Sequence, residues 1–329
     1  MKNSILDWLL EESQPSVRYL TLTELLGRRE QGSEVKEAKK SITRTGWAAD
    51  ILNSQAPGGY WIAQENLYRP KYVATNWMLL ILADLGLTKA EPRIKRACEM
   101  WMKRFAAEDG GFDSSSKGSP KYGHLCITGN TARALVKFGY TDHPRVRTAF
   151  EWFVKSQAPL GGWSCWNYGT SPRGRNLDSW EPLSAFAVYP RQKWTHGMKI
   201  AVEKGAEFFL ERELHRQGDR YEPWYRFHYP VHYYYDLLVG LDFMTALGYS
   251  GDKRLGYAIS LLKSKRRPDG RWNLDAVNPD PESPQGRWNI EHPKQATTPF
   301  ALEKPGKPSK IITLNALKVL DRIGSEIHH

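Results

Sequence analysis

The sequence predicts an all-α toroid, in which helices alternate between an inner and an outer ring around a central cavity. Two observations lead to this fold. A glycine–aromatic turn recurs about every fifty residues, and the stretches between turns alternate between two kinds of helix. A fixed period of this length indicates an array of similar helical units. The 329 residues are therefore expected to form a single α/α-toroid domain of six inner and six outer helices.

Four copies of the turn are clear in the sequence. They are Gln55–Trp61, Asp109–Phe112, Gln157–Trp163 and Pro268–Trp272. Their glycines 59, 111, 162 and 270 are separated by 52, 51 and 108 residues. The last spacing is two periods, so a degenerate fifth copy is predicted near Gly218. Segment 216–221 (RQGDRY) fits this place.

Inner helices are predicted where the sequence is apolar on nearly every side. These stretches are Pro15–Gly27, Tyr72–Gly86, His124–Gly139, Asp178–Tyr189, Val231–Gly248 and Pro308–Ile323. A helix that is apolar all round is buried all round. The alternative is an open α-solenoid, which buries only one side of each such helix. The pattern therefore favours a closed ring.

Outer helices are predicted where amphipathic, highly charged stretches alternate with the inner ones. They are Ile5–Ser13, Glu34–Ser54, Pro92–Ala107, Pro144–Gln157, His196–Arg216 and Asp252–Lys265. Helix ends carry the expected signals. Gly86 and Gly139 follow inner helices, where a left-handed residue is common, and Pro92 and Pro144 begin the next outer helices.

Composition limits the classes of partner. The chain has 47 basic and 36 acidic residues and a formal charge of +11, but no run of five like charges that would mark a nucleic-acid arm. We expect a small-molecule substrate and no nucleic acid. No apolar run reaches 18 residues and no secretory signal is visible, so a cytoplasmic protein without a transmembrane segment is expected. Three cysteines are expected to be reduced thiols.

The alternation of inner and outer helices also predicts the position of the functional site. All inner helices run parallel, so their N-terminal ends gather at one rim of the cavity, where partial positive charges and free amides suit an anionic group. The loops that precede the inner helices are also the long ones. We expect the active or binding face at this rim.

Candidate residues come from the first turns of the inner helices and the loops before them. The catalytic candidates are Asp178, Glu181, Asp236, His232 and Tyr235. The substrate-binding candidates are Arg18, Tyr19, Asn76, Trp77, Asn130, Trp163, Trp166, Trp180, Trp224, Arg226 and His228. Lys310 and Thr313 begin the last inner helix. Each residue also has a structural interpretation, such as capping a helix or packing.

Segment 221–236 (YEPWYRFHYPVHYYYD) is the most aromatic of the chain. It could line a pocket that stabilises a cation or stacks on a sugar, or it could be a tightly packed loop and helix start. Burial against these rings would raise the pKa of a carboxyl group such as Asp178, Glu181 or Asp236, which suits a general acid.

Zinc is a possible cofactor on the basis of side-chain types. Cys126, Cys165, His124 and His232 are candidate ligands. No close pair of Cys-x-x-Cys type supports them, and buried free thiols are the alternative.

The glycine–aromatic turns resemble the repeats of the prenyltransferase and squalene-cyclase superfamily, which includes terpenoid cyclases and protein prenyltransferases. Segments 126–130 (CITGN), 161–165 (GGWSC) and 268–272 (PDGRW) look most like a single-domain group of bacterial and archaeal proteins. The resemblance implies an α/α toroid and an isoprenoid or other largely apolar small molecule in the central cavity.

The chain departs from the motifs of that superfamily at two places. Class II terpene cyclases use the middle Asp of an Asp-x-Asp-Asp motif, which does not occur here; Asn176-Leu-Asp178 and Asn273-Leu-Asp275 each keep one acid. Protein prenyltransferases hold zinc with Asp-x-Cys and a later His. Here His124-x-Cys126 and His232 occupy similar places.

Two other functions stay open. α/α toroids also carry carbohydrate hydrolases and lyases, for which Asp178 and Asp236 would be the acid and base. Sugar-stacking residues would then be Trp61, Trp163, Trp166, Trp180 and Trp224. A non-catalytic scaffold would instead have a cavity filled by its own side chains and no strongly perturbed titratable group. Segment 277–308 would be a lid over the cavity or a strap across the outside.

Overall fold

The computed structural model describes residues 5–114, 120–165, 174, 176–216, 220–232, 234–277 and 301–325, and this part of the chain is helical without a β-strand. The predicted lid or strap lies mostly outside the described residues, as does Trp166. No helix among the described residues has the length and apolar character needed to cross a bilayer.

Thirteen α-helices are found in the described part of the chain. In chain order they are α1 (Ile5–Leu9), α2 (Pro15–Leu20), α3 (Ser33–Ser41), α4 (Gly46–Asn53), α5 (Thr75–Asp84), α6 (Pro92–Phe105), α7 (Leu125–Lys137), α8 (Pro144–Ser156), α9 (Asn176–Val188), α10 (His196–Leu210), α11 (Leu237–Ala246), α12 (Gly256–Ser264) and α13 (Lys310–Arg322). A π-helical turn, Thr21–Leu25, continues α2. Short 3₁₀ turns lie at Arg191–Lys193, Glu222–Tyr225 and Lys253–Leu255.

The inner helices form a closed cycle of contacts. Helices α5, α7, α9, α11 and α13 contact one another in this order, and α13 contacts α2 and its π-helical turn. Tyr19 of α2 approaches Gly86, just after α5, and so closes the cycle. One cluster of buried hydrophobic side chains joins the elements. The all-α fold class is confirmed. The count of six helix pairs stays a prediction.

The prediction of a single outer helix over Glu34–Ser54 is wrong, because two helices occupy this stretch. Helix α3 ends at Ser41 and α4 begins at Gly46. Gly46 has a φ of +76°, and a Cβ there would lie 2.9 Å from the Gln14 side chain. The chain therefore turns where it passes close to the start of α2, and only glycine fits this conformation without strain.

The predicted inner helix Val231–Gly248 also needs correction, because α11 begins only at Leu237. The described residues before it, 227–232 and 234–236, form a non-helical segment that enters the ring; we call it the central segment. The Asn130 amide donates to the His232 carbonyl at 2.8 Å, and Arg133 Nη2 lies 3.4 Å from the Val231 carbonyl. An apolar, aromatic sequence predicted burial correctly, but it did not distinguish a buried loop from a buried helix.

The recurring turn joins an outer helix to the next inner helix. The Trp61 backbone N–H donates to the Thr75 hydroxyl at 2.9 Å, and its indole N–H donates to the Ile51 carbonyl at 2.9 Å. The same two bonds occur for Trp163 with Ser179 and Phe153, and for Trp272 with Thr313 and Leu262. These aromatic residues therefore have an architectural role.

Residues 217–219 of the predicted degenerate copy lie outside the described residues, and the link beside them is made differently. Trp224 lies ten residues after Leu214. The indole donors Trp61, Trp163 and Trp272 have the same spacing from the residues whose carbonyls they contact. Here the Leu214 carbonyl accepts from the Tyr235 hydroxyl at 3.0 Å instead. A Cβ at Gly240 would lie only 2.3 Å from that hydroxyl oxygen. Glycine at 240 therefore makes room for the Tyr235 ring.

Candidate functional site

A cavity of ≈ 100 Å³ lies at the centre of the ring and is lined from α2, α5, α7, α9, α11, α13 and the central segment. One part of the wall is apolar and includes Val17, Leu20 and Leu85. Another part is charged. Its members are Glu24, Asp84, Arg133, Lys137, Asp242 and Lys318.

Two of the charged side chains on this wall are accessible to solvent. Glu24 and Asp242 keep 43% and 41% of their side-chain accessible surface although each is paired with a cation. The charged part of the cavity wall is therefore in contact with solvent.

Ion pairs connect neighbouring inner helices at this charged wall. Lys137 Nζ lies 2.7 Å from Asp84 Oδ1, and Arg133 Nη2 lies 3.8 Å from Asp84 Oδ2. Burial alone would raise the pKa of Asp84, but Lys137 and Arg133 hold that pKa below its usual value. The Asp84 carboxylate therefore stays ionised and joins α5 to α7.

Helix α13 makes the corresponding contacts on the other side of the cavity. Lys318 pairs with Glu24 of the π-helical turn, and Arg322 Nη1 lies 2.8 Å from Asp242 Oδ1 of α11. Burial opposes ionisation of both acids, but the neighbouring cations outweigh it and keep the pKa of Glu24 and of Asp242 below the usual values. The ring is thus closed by charge as well as by packing.

A histidine–aspartate pair borders the cavity. His228 Nδ1 lies 2.6 Å from Asp236 Oδ2, and the same oxygen accepts from the His228 backbone N–H at 3.0 Å. Asp236 Oδ1 accepts from the Val239 backbone N–H at 2.8 Å, so Asp236 also caps α11. In a neutral imidazole, a carboxylate beside Nδ1 favours the hydrogen on that nitrogen and so leaves a lone pair on Nε2. The geometry thus fixes the orientation of the His228 ring.

Several buried polar atoms at the centre have no hydrogen-bond partner among the described residues. They are His228 Nε2, Tyr229 Oη, Arg133 Nε, both ring nitrogens of His232 and both carboxyl oxygens of Glu181. Leaving such a group unpaired costs about 1 to 3 kcal/mol. His228, Tyr229 and Arg133 line the cavity, so water or a ligand bound there would complete the bonding of their unpaired atoms.

His232 lies beside the aromatic side of the ring interior. Its imidazole stacks on Tyr72 with centroids 5.9 Å apart and meets the edge of Trp77 at 5.1 Å. Burial lowers the pKa of His232 to about 3, more than the nearby Asp84 raises it. His232 is therefore neutral over the physiological pH range.

Glu181 is buried where α9 crosses α7. A Cβ at Gly129 would lie 2.4 Å from the Glu181 Cβ, so the two helices approach closely at this point. Burial raises the pKa of Glu181 well above its usual value, with further contributions from Cys165 and Asp178. A carboxylic acid with a raised pKa keeps its proton to a higher pH than an ordinary glutamate does and can donate it.

The predicted zinc ligands are not brought together. His124 Nδ1 pairs with Asp113 at 2.9 Å, and this hydrogen bond raises the pKa of the half-exposed His124. Cys126 and Cys165 are partly buried free thiols, whereas His232 lies among aromatic rings. Among the residues that the structure describes, no group of three or more His, Cys, Asp or Glu side chains could hold a metal ion. The residues present do not fit the predicted zinc site.

Arg18 and Tyr19 make their polar contacts away from the cavity. Arg18 pairs with Glu12 and Glu34, and the Tyr19 hydroxyl donates to Glu30 at 2.5 Å. None of these three acids lines the cavity.

The other predicted residues fall into three groups. Asn130, His228, His232, Asp236 and Glu181 are buried around the ring interior, as are Asn76 and Trp77. Trp163, Tyr235 and Thr313 bond to the repeat turns. Asp178 accepts from the Cys165 backbone N–H at 3.1 Å, Lys310 contacts Glu11, and Arg226 is exposed. Four tryptophans proposed to stack on sugar are buried instead, namely Trp61, Trp163, Trp180 and Trp224.

The charged wall is the feature that the sequence analysis missed. Its residues lie in the second halves of inner helices, whereas the search was confined to their first turns. The available signal was the presence of charges such as Asp84, Lys137, Asp242 and Lys318 within otherwise apolar helices. A charge in an all-round apolar helix has to face a partner or a cavity.

No family profile and no curated protein matches the chain at a significant level. Solved structures do match it. The type II terpene cyclase MstE from Scytonema, without ligand, has a TM-score of 0.46 and 16% identity over 95% of this chain and 89% of that chain. A protein from Actinoplanes also has a TM-score of 0.46 and 16% identity, over 95% and 90% of the two chains. Similarity at this level assigns no activity.

Proposed function

We propose that this protein binds a small molecule in its central cavity and transfers a proton at Nε2 of His228. The observation that carries the proposal is the His228–Asp236 pair: a ring fixed by a 2.6 Å contact whose other nitrogen is buried and unpaired among the described residues. A neutral imidazole in this position accepts a proton, and the adjacent carboxylate stabilises the imidazolium that forms.

Arg133 and Tyr229 supply the polar partners of the proposed ligand. Both line the cavity with His228, and each has a buried donor atom without a partner in the described part. An oxygen of the ligand would accept from these donors while Nε2 takes its proton. This arrangement supports an oxygen-bearing head group.

The proposed substrate class is an isoprenoid or another largely apolar molecule with such a head group. The resemblance of the repeats and the apolar wall at Val17, Leu20 and Leu85 support an apolar body. A cavity of ≈ 100 Å³ is smaller than the roughly 150 Å³ that accommodates benzene. We therefore expect only the head group of such a molecule to bind in this space.

Neither alternative function has equal support. A carbohydrate enzyme needs accessible aromatic faces, but the described tryptophans proposed for that role are buried. A scaffold without a ligand would have no reason for perturbed groups, yet the pKa values of Glu181 and His232 are strongly shifted.

The proposal is tested by ligand screening followed by one substitution. Purified protein is incubated with prenyl diphosphates, prenyl alcohols and triterpene precursors, and thermal shift and product formation by mass spectrometry are measured. For any compound that is converted, His228→Gln should reduce kcat at least about 100-fold, because glutamine can still bond to Asp236 but transfers no proton.

His196→Gln is the matched control, because His196 is exposed at the start of α10. Binding without conversion by the wild-type protein would restrict the function to binding. Full activity of the His228→Gln variant would overturn the assignment of His228.

A further inference from the structure

We propose that solutes enter the central cavity from the side on which the inner helices end, and that Glu24 and Asp242 make this entrance favour cationic over anionic solutes. The entrance lies between the π-helical turn, α11 and α13, and we call it the charged opening. The sequence predicted access from the other side, where the inner helices begin. The inference concerns access to the cavity and does not depend on proton transfer at His228.

The charged wall of the cavity lies where inner helices end. Asp84 and Lys137 are the last residues of α5 and α7, and their side chains meet at 2.7 Å. Arg322, the last residue of α13, lies 3.3 Å from the hydroxyl of Thr245, next to the last residue of α11. Neighbouring inner helices therefore end together on the charged side of the cavity.

The other side of the ring interior is filled by side chains. Trp77 lies in the first turn of α5, and the His232 imidazole meets its edge at 5.1 Å. Tyr72, just before this helix, stacks on His232 at 5.9 Å, and all three residues are buried. A solute that came from the side where the inner helices begin would have to displace these rings.

Accessible surface at the charged wall is concentrated on two acids. Glu24 and Asp242 keep 43% and 41% of their side-chain surface, more than any other charged side chain of the cavity wall. Lys318, the partner of Glu24, keeps only 12%. Side chains that line the cavity and are also accessible to solvent border an opening. The structure therefore supports an entrance beside Glu24 and Asp242.

The accessible charge at this opening is negative. Burial alone would raise the pKa values of Glu24 and Asp242, but the neighbouring cations outweigh it, so both side chains are ionised at neutral pH. Lys318 and Arg322, which pair with them, are less accessible. A cleft whose accessible charge has one sign concentrates solutes of the opposite sign. If the proposed function holds, a neutral or cationic head group is therefore favoured over a diphosphate.

The test introduces a thiol inside the cavity. Ser184 of α9 is buried, lines the cavity and donates its hydroxyl to the Glu181 carbonyl at 2.9 Å, so Ser184→Cys is nearly isosteric. The full-length variant is treated with methanethiosulfonates that transfer a neutral methylthio, a cationic aminoethylthio or an anionic sulfonatoethylthio group. Tryptic mapping of peptide 176–191 gives each labelling rate, which is divided by the rate for a free thiol in solution. The cationic reagent should then react at least about tenfold faster than the anionic one.

Two further substitutions in the Ser184→Cys protein test the charge preference. Glu24→Gln should lower the ratio of the cationic to the anionic rate about threefold, because it removes one of the two accessible acids. Glu12→Gln is the matched control, because Glu12 is exposed outside the central cavity, and the ratio should stay unchanged.

The position of the entrance is tested by narrowing it. Asn315 lies one turn before Lys318, and Leu20 lies one turn before Glu24; both are partly buried and line the cavity. Asn315→Phe and Leu20→Phe, each made in the Ser184→Cys protein, should slow labelling by the neutral reagent at least about tenfold, because a phenyl ring leaves little free space there.

The native cysteines are internal controls. Cys126 is partly exposed at the start of α7, the opposite end from Lys137, and its labelling rate should be the same in every variant. Cys98 is buried in α6 and should stay unlabelled as long as the protein is folded.

Three results would overturn the proposal. Labelling at position 184 that neither phenylalanine variant slows would place the entrance elsewhere. No labelling at this position while Cys126 reacts normally would show that the cavity is closed. Faster reaction with the anionic reagent would refute the charge preference.

Discussion

Glu181 combines full burial, a raised pKa and two carboxyl oxygens without a partner among the described residues. Glu181 packs tightly against Gly129, and an apolar side chain at this place would avoid burying unpaired polar atoms. A neutral acid next to Arg133 and the ring interior instead has a proton and two acceptor sites to offer. At the scale of single residues, Glu181 is therefore a buried acid whose protonation is coupled to the stability of the fold.

Glu181 should make the protein less stable as the pH rises. Its folded pKa is raised, so above the unfolded pKa of about 4.3 folding takes up a proton, and stability falls by up to about 1.4 kcal/mol per pH unit until the folded pKa is reached. Glu181→Gln removes this dependence. Urea unfolding at pH 5, 6, 7 and 8 should show the free energy of unfolding of the variant, relative to that of the wild type, rising with pH until the folded pKa of Glu181 is reached.

Glu99→Gln, at an exposed site of α6, is the control and should leave the pH dependence unchanged. Parallel pH profiles of the wild type and Glu181→Gln would show that Glu181 is ionised in the folded protein.

At the residue scale, the sequence identified several residues of the ring interior but did not predict which of them contact each other. His228, His232, Asp236 and Glu181 were all candidates. Only the structure pairs His228 with Asp236 and separates His232 from the cysteines. Their relation depends on how a non-helical segment enters the ring, and helical periodicity carries no information on such a path.

At the scale of elements, the packing of α7 on α9 depends on a glycine. A Cβ at Gly129 would lie 2.4 Å from the Glu181 Cβ and 2.7 Å from its carbonyl carbon. Backbone atoms cannot move aside as a flexible side chain can. Gly129→Ala should therefore push the two helices apart and cost about 1 to 3 kcal/mol in the free energy of unfolding.

Gly256→Ala at the start of α12 is the matched control. A Cβ there meets nothing within 4 Å, and the φ of −55° is helical, so the change should be neutral or slightly stabilising. Chemical denaturation of both variants measures the difference. Equal stability of the two would contradict the close crossing of α7 and α9.

Most elements could be predicted because apolar periodicity and terminal signals agree. Helix α6 spans Pro92–Phe105 against a predicted Pro92–Ala107, and α8 spans Pro144–Ser156 against Pro144–Gln157. The failures have local causes. Gly46 with positive φ divides one predicted helix, and the central segment is as apolar as a helix while following another path.

At the scale of the whole molecule, ion pairs across the cavity close the ring. They join α5 to α7, the π-helical turn to α13, and α11 to α13. The sequence predicted a charged rim at the N-terminal ends of the inner helices, but these pairs lie in the second halves of those helices. The location of these ion pairs could not be predicted, because the two charged residues of each pair lie on different helices and meet only in the folded ring.

Lys137→Met should destabilise the protein by about 2 to 3 kcal/mol at pH 7, because it leaves the buried Asp84 carboxylate with only the longer Arg133 contact. Asp84 has a lowered folded pKa, so its contribution is present above the unfolded pKa of about 3.9 and is lost as the pH falls through the folded value. The difference between variant and wild type should therefore shrink in acid.

Lys95→Met removes an exposed pair with Glu99 at 4.0 Å and should change stability by less than about 0.5 kcal/mol. Unfolding free energies at pH 7 and pH 3.5 decide the outcome. A Lys137→Met effect no larger than that of Lys95→Met would mean that the cavity charges do not hold the ring together.

The most direct measurement of the central claim is the ¹⁵N chemical shift of the His228 ring in histidine-labelled protein, assigned by its loss in His228→Gln. Without ligand, and at a pH at which the imidazole is neutral, the hydrogen should be on Nδ1. A saturating ligand that raises Tm should move the Nε2 resonance strongly and the Nδ1 resonance little. A stabilising ligand that leaves both His228 resonances unchanged would contradict the account.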